Sequence, residues 1–447
     1  MLKPCDCEKH LSDSSEPPVS SVTKTMSIDK ETRRDSILPG YSVLAKSMIG
    51  SGMLGLAATC KEFGWTLGLI SAIIAATLTV FSLHLLSAVA MPFYGGTPLS
   101  FLKICTSLSP RFRPVVDIAI AAKCLGAAVA YLIFTGDMIS KLTETILNSN
   151  YPGVTDPMQS VLGLDVVALN RIVQAGVVFC LAPFCYCKAI TSTKISNLFG
   201  LACMLYITVL AVAKADFNME NTDMWPRDVF SMLEKLPMFI FAFTCHQNLF
   251  GVIDDLTTPT VRSMTVISAS STITGLLLFL VVMVFPYGTY GRSVNDNFMR
   301  SMLSENTDDM AVIVGCVLAS ISVSISYPLQ ALPMRRSLVA LIYRNQSLSA
   351  SKEGLVRYVL STLIVLVTLG LGLAYPTGLG PVMALTGLIG GNLICFVMPS
   401  WLFIQAVRQN VVSASPVKYS LAVALFIFSL MLYPVCLGSK AYLASQQ

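Results

Sequence analysis

Residues 46–56 read Lys-Ser-Met-Ile-Gly-Ser-Gly-Met-Leu-Gly-Leu and lie inside the apolar stretch 39–63. The letters Gly50–Gly55 match a dinucleotide-binding loop, but no strand precedes them and no acidic residue follows on a second strand at the required distance. Two interpretations remain. Small residues at this spacing let membrane helices pack closely. Alternatively, the helix is interrupted here, and its freed N–H groups face an anion such as a substrate carboxylate.

The rest of the chain shares the apolar character of this stretch. Of its 447 residues, 54% are hydrophobic and 12% are charged, and the mean hydropathy is +0.69. Soluble proteins carry roughly 25% charged residues, so this chain cannot cover a water-soluble surface. Apolar stretches long enough to cross a bilayer recur along it. We predict about eleven spans: 39–63, 67–91, 115–137, 171–187, 195–213, 233–256, 264–286, 310–330, 356–375, 380–398 and 418–437.

These spans predict an all-α polytopic membrane protein. They are too long for barrel strands and show no two-residue alternation. The segments between them are short and leave no room for a soluble catalytic domain, so we do not expect an enzyme. Residues 1–37 are polar and predict a disordered tail, and 38–447 form the membrane domain.

Cysteine, histidine and charge usage exclude several other classes of site. Most of the thirteen cysteines lie in or beside apolar stretches, and the chain has only three histidines, so we predict no metal site and no cofactor. The basic residues are scattered between spans, which gives no nucleic-acid surface. Nineteen of them lie in segments on the same side of the membrane as the N-terminus, and nine lie on the opposite side. Because basic residues are enriched on the cytosolic side, this predicts a cytosolic N-terminus.

The sixth predicted span contains a second irregular segment. Phe243-Thr-Cys-His-Gln-Asn248 places polar residues at mid-membrane depth, where they usually line a cavity. His246 alone could equally be a packed, hydrogen-bonded histidine. Interruptions in spans one and six are five helices apart, the offset of two inverted five-helix repeats. The pattern favours a transporter over a channel or a receptor.

Two lysines and a run of serines lie inside predicted spans. Lys46 lies about one turn before Gly50 and could extend to the interface, whereas Lys123 lies about 12 Å into the third span at 1.5 Å per residue. An unpaired ammonium there is costly, so we expect Lys123 to meet backbone carbonyls or, through water, one of three carboxylates: Asp137, Asp254 or Asp255. In the eighth span, Ser320 and Ser324 share one helix face and Ser322 and Ser326 another.

Four segments together resemble the amino acid/auxin permease family, which includes sodium-coupled neutral amino acid transporters and fungal vacuolar amino acid transporters. The resemblance covers residues 39–437, and the segments are 46–56, 123–137, 243–248 and Tyr327-Pro-Leu-Gln-Ala-Leu-Pro-Met-Arg-Arg-Ser337. It implies a LeuT-like fold with two inverted five-helix repeats, 39–213 and 233–398, and an eleventh helix at 418–437. It also implies an amino acid substrate bound where helices one and six are unwound.

The resemblance assigns roles to particular residues. Backbone N–H groups of Gly50, Ser51 and Gly52 are expected to bind the substrate carboxylate. The sixth span is expected to accept hydrogen bonds from the substrate ammonium through these residues: Phe241, Thr244 and Cys245. Four further residues are candidates for ion coupling: Lys46, His246, Ser320 and Ser324.

One difference from the sodium-coupled members bears on the coupling ion. Those members place an Asn on helix one, which holds sodium together with hydroxyls of helix eight, and here Lys46 stands at that position. An ammonium there repels sodium, since two like charges at 4 Å cost about 4 kcal/mol at an effective dielectric of 20. We therefore expect sodium-independent transport, coupled to protons through a group such as His246 or driven by the substrate gradient.

The sequence predicts a class of substrate and a type of membrane. No acidic residue stands beside the expected pocket, which favours small to medium neutral amino acids, and the resemblance favours a vacuolar or lysosome-like membrane whose lipid surrounds the bundle. The alternative function is a transporter-like sensor that binds an amino acid and signals through its N-terminal tail.

Overall fold

The structure is a computed structural model that describes residues 37–95, 98–187, 193–343, 350–376 and 378–446. The predicted disordered tail lies outside these residues except for Ile37. Within the described part of the chain the regular elements are helical, and no strand is present. The helices are α1 (Leu38–Met48), α2 (Leu56–Ala90), α3 (Phe101–Leu108), α4 (Arg113–Asn150), α5 (Val166–Cys185), α6 (Thr193–Ala213), α7 (Val229–Lys235), α8 (Pro237–Ala242), α9 (Leu249–Asp255), α10 (Val261–Tyr290), α11 (Phe298–Glu305), α12 (Met310–Ile342), α13 (Ala350–Ala374), α14 (Leu379–Thr386), α15 (Met398–Arg408) and α16 (Pro416–Gln446).

The number of spans agrees with the sequence prediction. Nine helical stretches in the described residues are long and apolar enough to cross a membrane, and the apolar segment Leu198–Ala213 of α6 adds a shorter one. The first stretch, Leu38–Phe93, contains the first two predicted spans. The two spans divide at Gly64, whose φ of 68° favours glycine. Glycine also avoids a steric clash here, because a β-carbon would lie 2.7 Å from the Trp225 backbone. The prediction of an all-α bundle with about eleven spans is confirmed.

Spans one and six are both interrupted, as the sequence suggested. α1 ends at Met48, Gly50 is extended with φ −152° and ψ −154°, and the chain re-enters helix through a 3₁₀ turn, Ser51–Gly55. In span six, α8 ends at Ala242, and a second 3₁₀ turn, His246–Asn248, leads into α9. The helix is broken at Gly50 and packs tightly at Gly52, as the two interpretations of the glycine motif expected, and the binding of an anion there stays a prediction.

The two interruptions meet in the interior. A β-carbon on Gly52 would lie 3.0 Å from the Ala242 Cα, so the backbones approach too closely for a larger residue without rearrangement. The Asn248 amide donates to Ser47 Oγ at 2.7 Å and ties the two spans together. Small residues permit such close approach, which supplies much of the packing energy between membrane helices.

α4 and α12 form the most extensive helix pair, and α2 packs along α10. The tenth span crosses α4 through two π-helical segments, Gly387–Gly391 and Leu393–Val397. A β-carbon at Gly390 would lie 2.4 Å from the backbone nitrogen of Lys123. This contact fixes the depth of α4 against the tenth span.

Arg335 joins three spans at one end of the bundle. Hydropathy places it among the loop cations, but it lies within α12 and is only 6% exposed. Its guanidinium donates to the Cys185 and Cys187 carbonyls at 2.6 and 2.7 Å and to Ser361 Oγ at 2.8 Å. The predicted loop position was wrong because α12 continues to Ile342, about three turns beyond the apolar stretch 310–330 that marked the eighth span.

Candidate functional site

A large cavity reaches the interruption in span one from one end of the bundle. We call the end where α1 begins side A and the opposite end side B. The cavity has a volume of about 750 Å³ and is lined at its deep end by Gly50, Ser51 and Tyr131. At side A it is lined by residues 99–102 and by Arg336 near the end of α12. The cavity therefore connects side A with the middle of the bundle.

Side B is closed over the same region by ion pairs. Arg300 of α11 pairs with Asp137 of α4. Lys235 Nζ lies 2.9 Å from Asp296 Oδ1, and Asp296 also accepts the Gly380 N–H at 3.2 Å. A separate cavity of about 490 Å³ lies among these groups. Opening a path to side B requires these pairs to separate.

The interruption in span one presents backbone to the cavity. A methyl group on Gly50 would have no neighbour within 4 Å, and Ser51 lines the cavity at 7% exposure. The helix that begins at Ser51 leaves the N–H groups of its first turn without intrahelical acceptors. Gly52 lies one residue deeper, against Phe241 and Ala242. Of the three predicted donors, Gly50 and Ser51 lie in the cavity wall, and Gly52 is buried behind it.

The predicted residues of span six lie behind the cavity wall. Phe241 is 9% exposed and contacts Gly52. Thr244 Oγ1 donates to the Ile240 carbonyl at 2.6 Å and accepts from Cys395 Sγ at 3.3 Å, and Cys245 is fully buried. Gln247 and Asn248, the next polar residues along the chain, line the cavity. They belong to the polar segment that the sequence singled out, but no role was assigned to them.

His246 is sealed from the cavity. Its side chain is fully buried, does not line the cavity, and places Nε2 2.6 Å from Ser82 Oγ. Its Nδ1 has no hydrogen-bond partner among the described residues. The contacts are those of a packed histidine between α2 and the interruption of span six.

Lys46 extends toward α6 and α12. A methyl group on Gly200 would lie 2.6 Å from Lys46 Nζ and 3.0 Å from Ser322 Oγ, so the ammonium occupies the space between α1, α6 and α12. Lys46 and Ser322 both line the cavity. The ammonium thus lies near the Ser322 hydroxyl of the eighth span.

The serine face that lines the cavity is not the one assigned to ion coupling. Ser322 and Ser326 line it. Ser320 donates to the Cys316 carbonyl of its own helix at 2.8 Å, and Ser324 lies 3.1 Å from Thr135 Oγ1. The spacing predicted correctly which serines share a face, but the rotation of α12 depends on its packing against α4.

Lys123 has a neutral partner. Its Nζ donates to Gln330 Oε1 at 3.3 Å, and Gln330 Nε2 donates to the Tyr131 hydroxyl at 3.4 Å. Of the carboxylates expected to reach Lys123 through water, Asp137 instead pairs directly with Arg300 and Asp254 accepts the Leu99 N–H. Tyr131 and Gln330 were missed as site residues, although both lie in segments that carry the family resemblance.

An acidic residue does stand in the cavity wall, contrary to the sequence expectation. Asp117 of α4 lines the cavity and is 4% exposed. Arg113, one turn earlier on the same helix, is close enough to interact with it electrostatically. No sequence pattern indicated this, since Asp117 lies at the start of the third span and the sequence does not show how far the cavity extends along α4.

Known proteins are similar in sequence to most of this chain. A sequence model of the family described as "Transmembrane amino acid transporter protein" matches residues 33–438. The chain is 27% identical to vacuolar amino acid transporter 5 of Schizosaccharomyces pombe over 86% of this chain and 87% of that protein. It is 24% identical to vacuolar amino acid transporter 6 of Saccharomyces cerevisiae, covering 90% and 98%. It is also 23% identical to sodium-coupled neutral amino acid transporter 7 of Mus musculus, covering 88% and 84%.

A solved structure shares the fold. The crystal structure of MhsT in complex with L-phenylalanine superposes with a TM-score of 0.56 at 11% identity, covering 90% of this chain and 99% of that one. The LeuT-like arrangement is confirmed by this match.

Proposed function

Because the chain belongs to the transmembrane amino acid transporter family, as its resemblance to the amino acid/auxin permeases predicted, we propose that it carries amino acids across a membrane by alternating access. One observation supports this above the others: the cavity joins side A to the interruption in span one while ion pairs close side B. A secondary transporter needs a central site that is reached from one side at a time.

We propose that the substrate carboxylate binds at the start of the helix after Gly50, through N–H groups of Gly50, Ser51 and Gly52. A helix start carries a partial positive charge and unpaired donors, which suits a carboxylate. The substrate ammonium would bind carbonyls of the interrupted sixth span, from Phe241 to Cys245. The close contact between Gly52 and Ala242 supports this proposal, since it brings the two interruptions within reach of one small molecule.

The proposed substrates are small to medium neutral amino acids. Among the described residues, one carboxylate, that of Asp117, lines the cavity together with three cationic side chains, Lys46, Lys123 and Arg336. This surplus of positive charge disfavours cationic substrates. The name of the mouse relative, a sodium-coupled neutral amino acid transporter, supports the neutral class.

We propose that transport is independent of sodium and is either coupled to protons or driven by the substrate gradient. The Lys46 ammonium lies beside Ser322, where a second cation would meet a fixed positive charge. At an effective dielectric of 20, that repulsion is about 4 kcal/mol at 4 Å. The names of the two fungal relatives support a vacuolar or lysosome-like membrane, with the N-terminus in the cytosol.

The decisive experiment is uptake by purified protein in proteoliposomes. Each amino acid is tested with sodium or with N-methylglucamine outside, and with or without a pH gradient. We expect saturable uptake of neutral amino acids that is unchanged when sodium is removed. Absence of saturable uptake for every amino acid would refute the proposed function, and uptake that requires sodium would refute only the coupling.

Lys46→Asn tests the role of the ammonium. We expect at least a tenfold loss of uptake without sodium, because the positive charge between α1, α6 and α12 is gone. Lys352→Asn is the matched control, since Lys352 is an exposed lysine on α13 outside the cavity. Equal uptake by both variants would show that Lys46 has no part in coupling.

A further inference from the structure

The cavity wall carries more positive charge than a zwitterionic substrate requires. Lys46, Lys123 and Arg336 line it together with Asp117. No salt bridge joins Lys46 or Lys123 to a carboxylate among the described residues. Asp117 does not offset this surplus fully, because Arg113 on the same helix already faces it.

Lys123 is the group most in need of an anionic partner. It is 7% exposed and lines the cavity, and among the described residues its one hydrogen-bond acceptor is the neutral Gln330 amide, at 3.3 Å. An ammonium has three donors, so two remain to be used. A buried cation without an opposite charge is costly in a membrane and usually marks a ligand path.

A polar chain connects Lys123 to the proposed carboxylate site. Gln330 bridges Lys123 and the Tyr131 hydroxyl, and Tyr131 and Ser51 both line the cavity. Lys123 and Tyr131 lie on the same helix, about 12 Å apart along its axis at 1.5 Å per residue, and the long lysine and glutamine side chains close much of that distance. Two anion-binding positions, the helix start at Ser51 and the Lys123 ammonium, thus face one cavity.

From this arrangement we propose that the substrate range extends to acidic amino acids, and that Lys123 is the specificity-determining residue that binds their side-chain carboxylate. The proposal rests on the proposed transport function and on the same site. The α-carboxylate would bind at the Gly50–Ser51 interruption, and the second carboxylate would replace Gln330 as the principal partner of Lys123. The longer glutamate reaches Lys123 more readily than aspartate.

The first test uses the wild-type protein in proteoliposomes at pH 7. Labelled glutamate, aspartate and glutamine are supplied singly, and glutamate also competes with the neutral amino acid that is taken up best. We expect saturable glutamate uptake, weaker aspartate uptake and full competition. Uptake of neutral amino acids without glutamate uptake or competition would overturn this inference and leave the proposed function standing. No uptake of any amino acid would overturn both.

The second test assigns the specificity to Lys123. In Lys123→Gln the hydrogen bond to Gln330 can persist but the charge is lost, so we expect the glutamate KM to rise at least tenfold relative to the glutamine KM. Lys440→Gln, which removes a lysine that faces Glu234 outside the cavity, is expected to keep the wild-type ratio. An unchanged ratio in Lys123→Gln would overturn the assignment. If that variant does not fold, Lys123→Arg must retain the wild-type preference, because it keeps the charge, and loss of the preference there would overturn the assignment.

Discussion

Replacement of Asp137 by Asn is expected to weaken the closure of side B. The Asp137 carboxylate joins α4 to Arg300 on α11, and this contact must break before a path to side B can open. Asn keeps the shape and one hydrogen-bond acceptor but removes the charge. The closed state loses the attraction, while the open state, in which the two groups are apart, loses little.

The size of the effect follows from burial. The Asp137 side chain is 10% exposed and that of Arg300 is 30% exposed, so the pair lies between a surface ion pair and a buried one. Surface pairs contribute about 0–1 kcal/mol, and breaking a buried pair costs about 3–5 kcal/mol. We therefore expect Asp137→Asn to destabilise the closed state by about 1–3 kcal/mol relative to the open state. This corresponds to a shift of the closed-to-open equilibrium by roughly 5- to 150-fold.

Hydrogen–deuterium exchange of the protein in lipid nanodiscs measures this shift. We expect faster exchange in the segment 291–305 and at the start of α14, since both contact the closed side B. Glu144→Gln is the matched control, because Glu144 pairs with Lys141 on the same helix at 3.1 Å without joining two helices. Adding Arg300→Gln to Asp137→Asn should change exchange little further, since the pair is already broken. Equal exchange in Asp137→Asn and Glu144→Gln would refute the reasoning.

Three further predictions concern the buried histidine, the helix packing and the loops of side B. His246→Gln should leave the pH dependence of uptake unchanged, because the imidazole is sealed from the cavity; a shifted profile would contradict this. Gly390→Ala should lower the melting temperature in a fluorescence assay by several degrees, since the added methyl meets α4 backbone at 2.4 Å, whereas Gly438→Ala, with open space, should not. Arg292 donates two hydrogen bonds to Asp223 and holds the pKa of that half-buried carboxylate below its usual value, so the stability that the pair contributes is present at neutral pH and is lost as the pH falls through the folded-state pKa. Asp223→Asn should therefore be less stable than wild type at pH 7, and the difference should shrink as the pH falls through the folded-state pKa of Asp223; a difference independent of pH would contradict this.

Hydropathy predicted the spans well because lipid imposes the same length on each helix. It predicted several helices to be shorter than they are. The third span was predicted at 115–137, but α4 continues to Asn150. The last three turns of α4 carry charged residues such as the Lys141–Glu144 pair. Hydropathy therefore predicts a loop there, although the helix is continuous. The glycines and the polar segment correctly indicated both interruptions, since helix-breaking and polar residues within an apolar run weaken a continuous membrane helix.

The contacts of the site could not be derived in the same way. Lys123 and Gln330 are 207 residues apart, and Arg300 and Asp137 are 163 apart. Helical periodicity places residues on faces, but it does not say which face of α12 turns toward α4. This is why Ser322 and Ser326 line the cavity although Ser320 and Ser324 were chosen. The partner of a buried charge is decided by helix rotation, which one sequence does not encode in any local pattern.

The contacts of Arg335 have a consequence for the order of biosynthesis. The carbonyls of Cys185 and Cys187 at the end of α5 receive their donors from a residue about 150 positions later in the chain. At about 5–20 residues per second, a ribosome needs roughly 8–30 s to make that stretch. During this interval the fourth span is already made, and the end of its helix is satisfied only by water or lipid headgroups. The fourth span should therefore remain movable until the eighth arrives, and a variant lacking the guanidinium should be cleared during synthesis more readily than its equilibrium stability suggests.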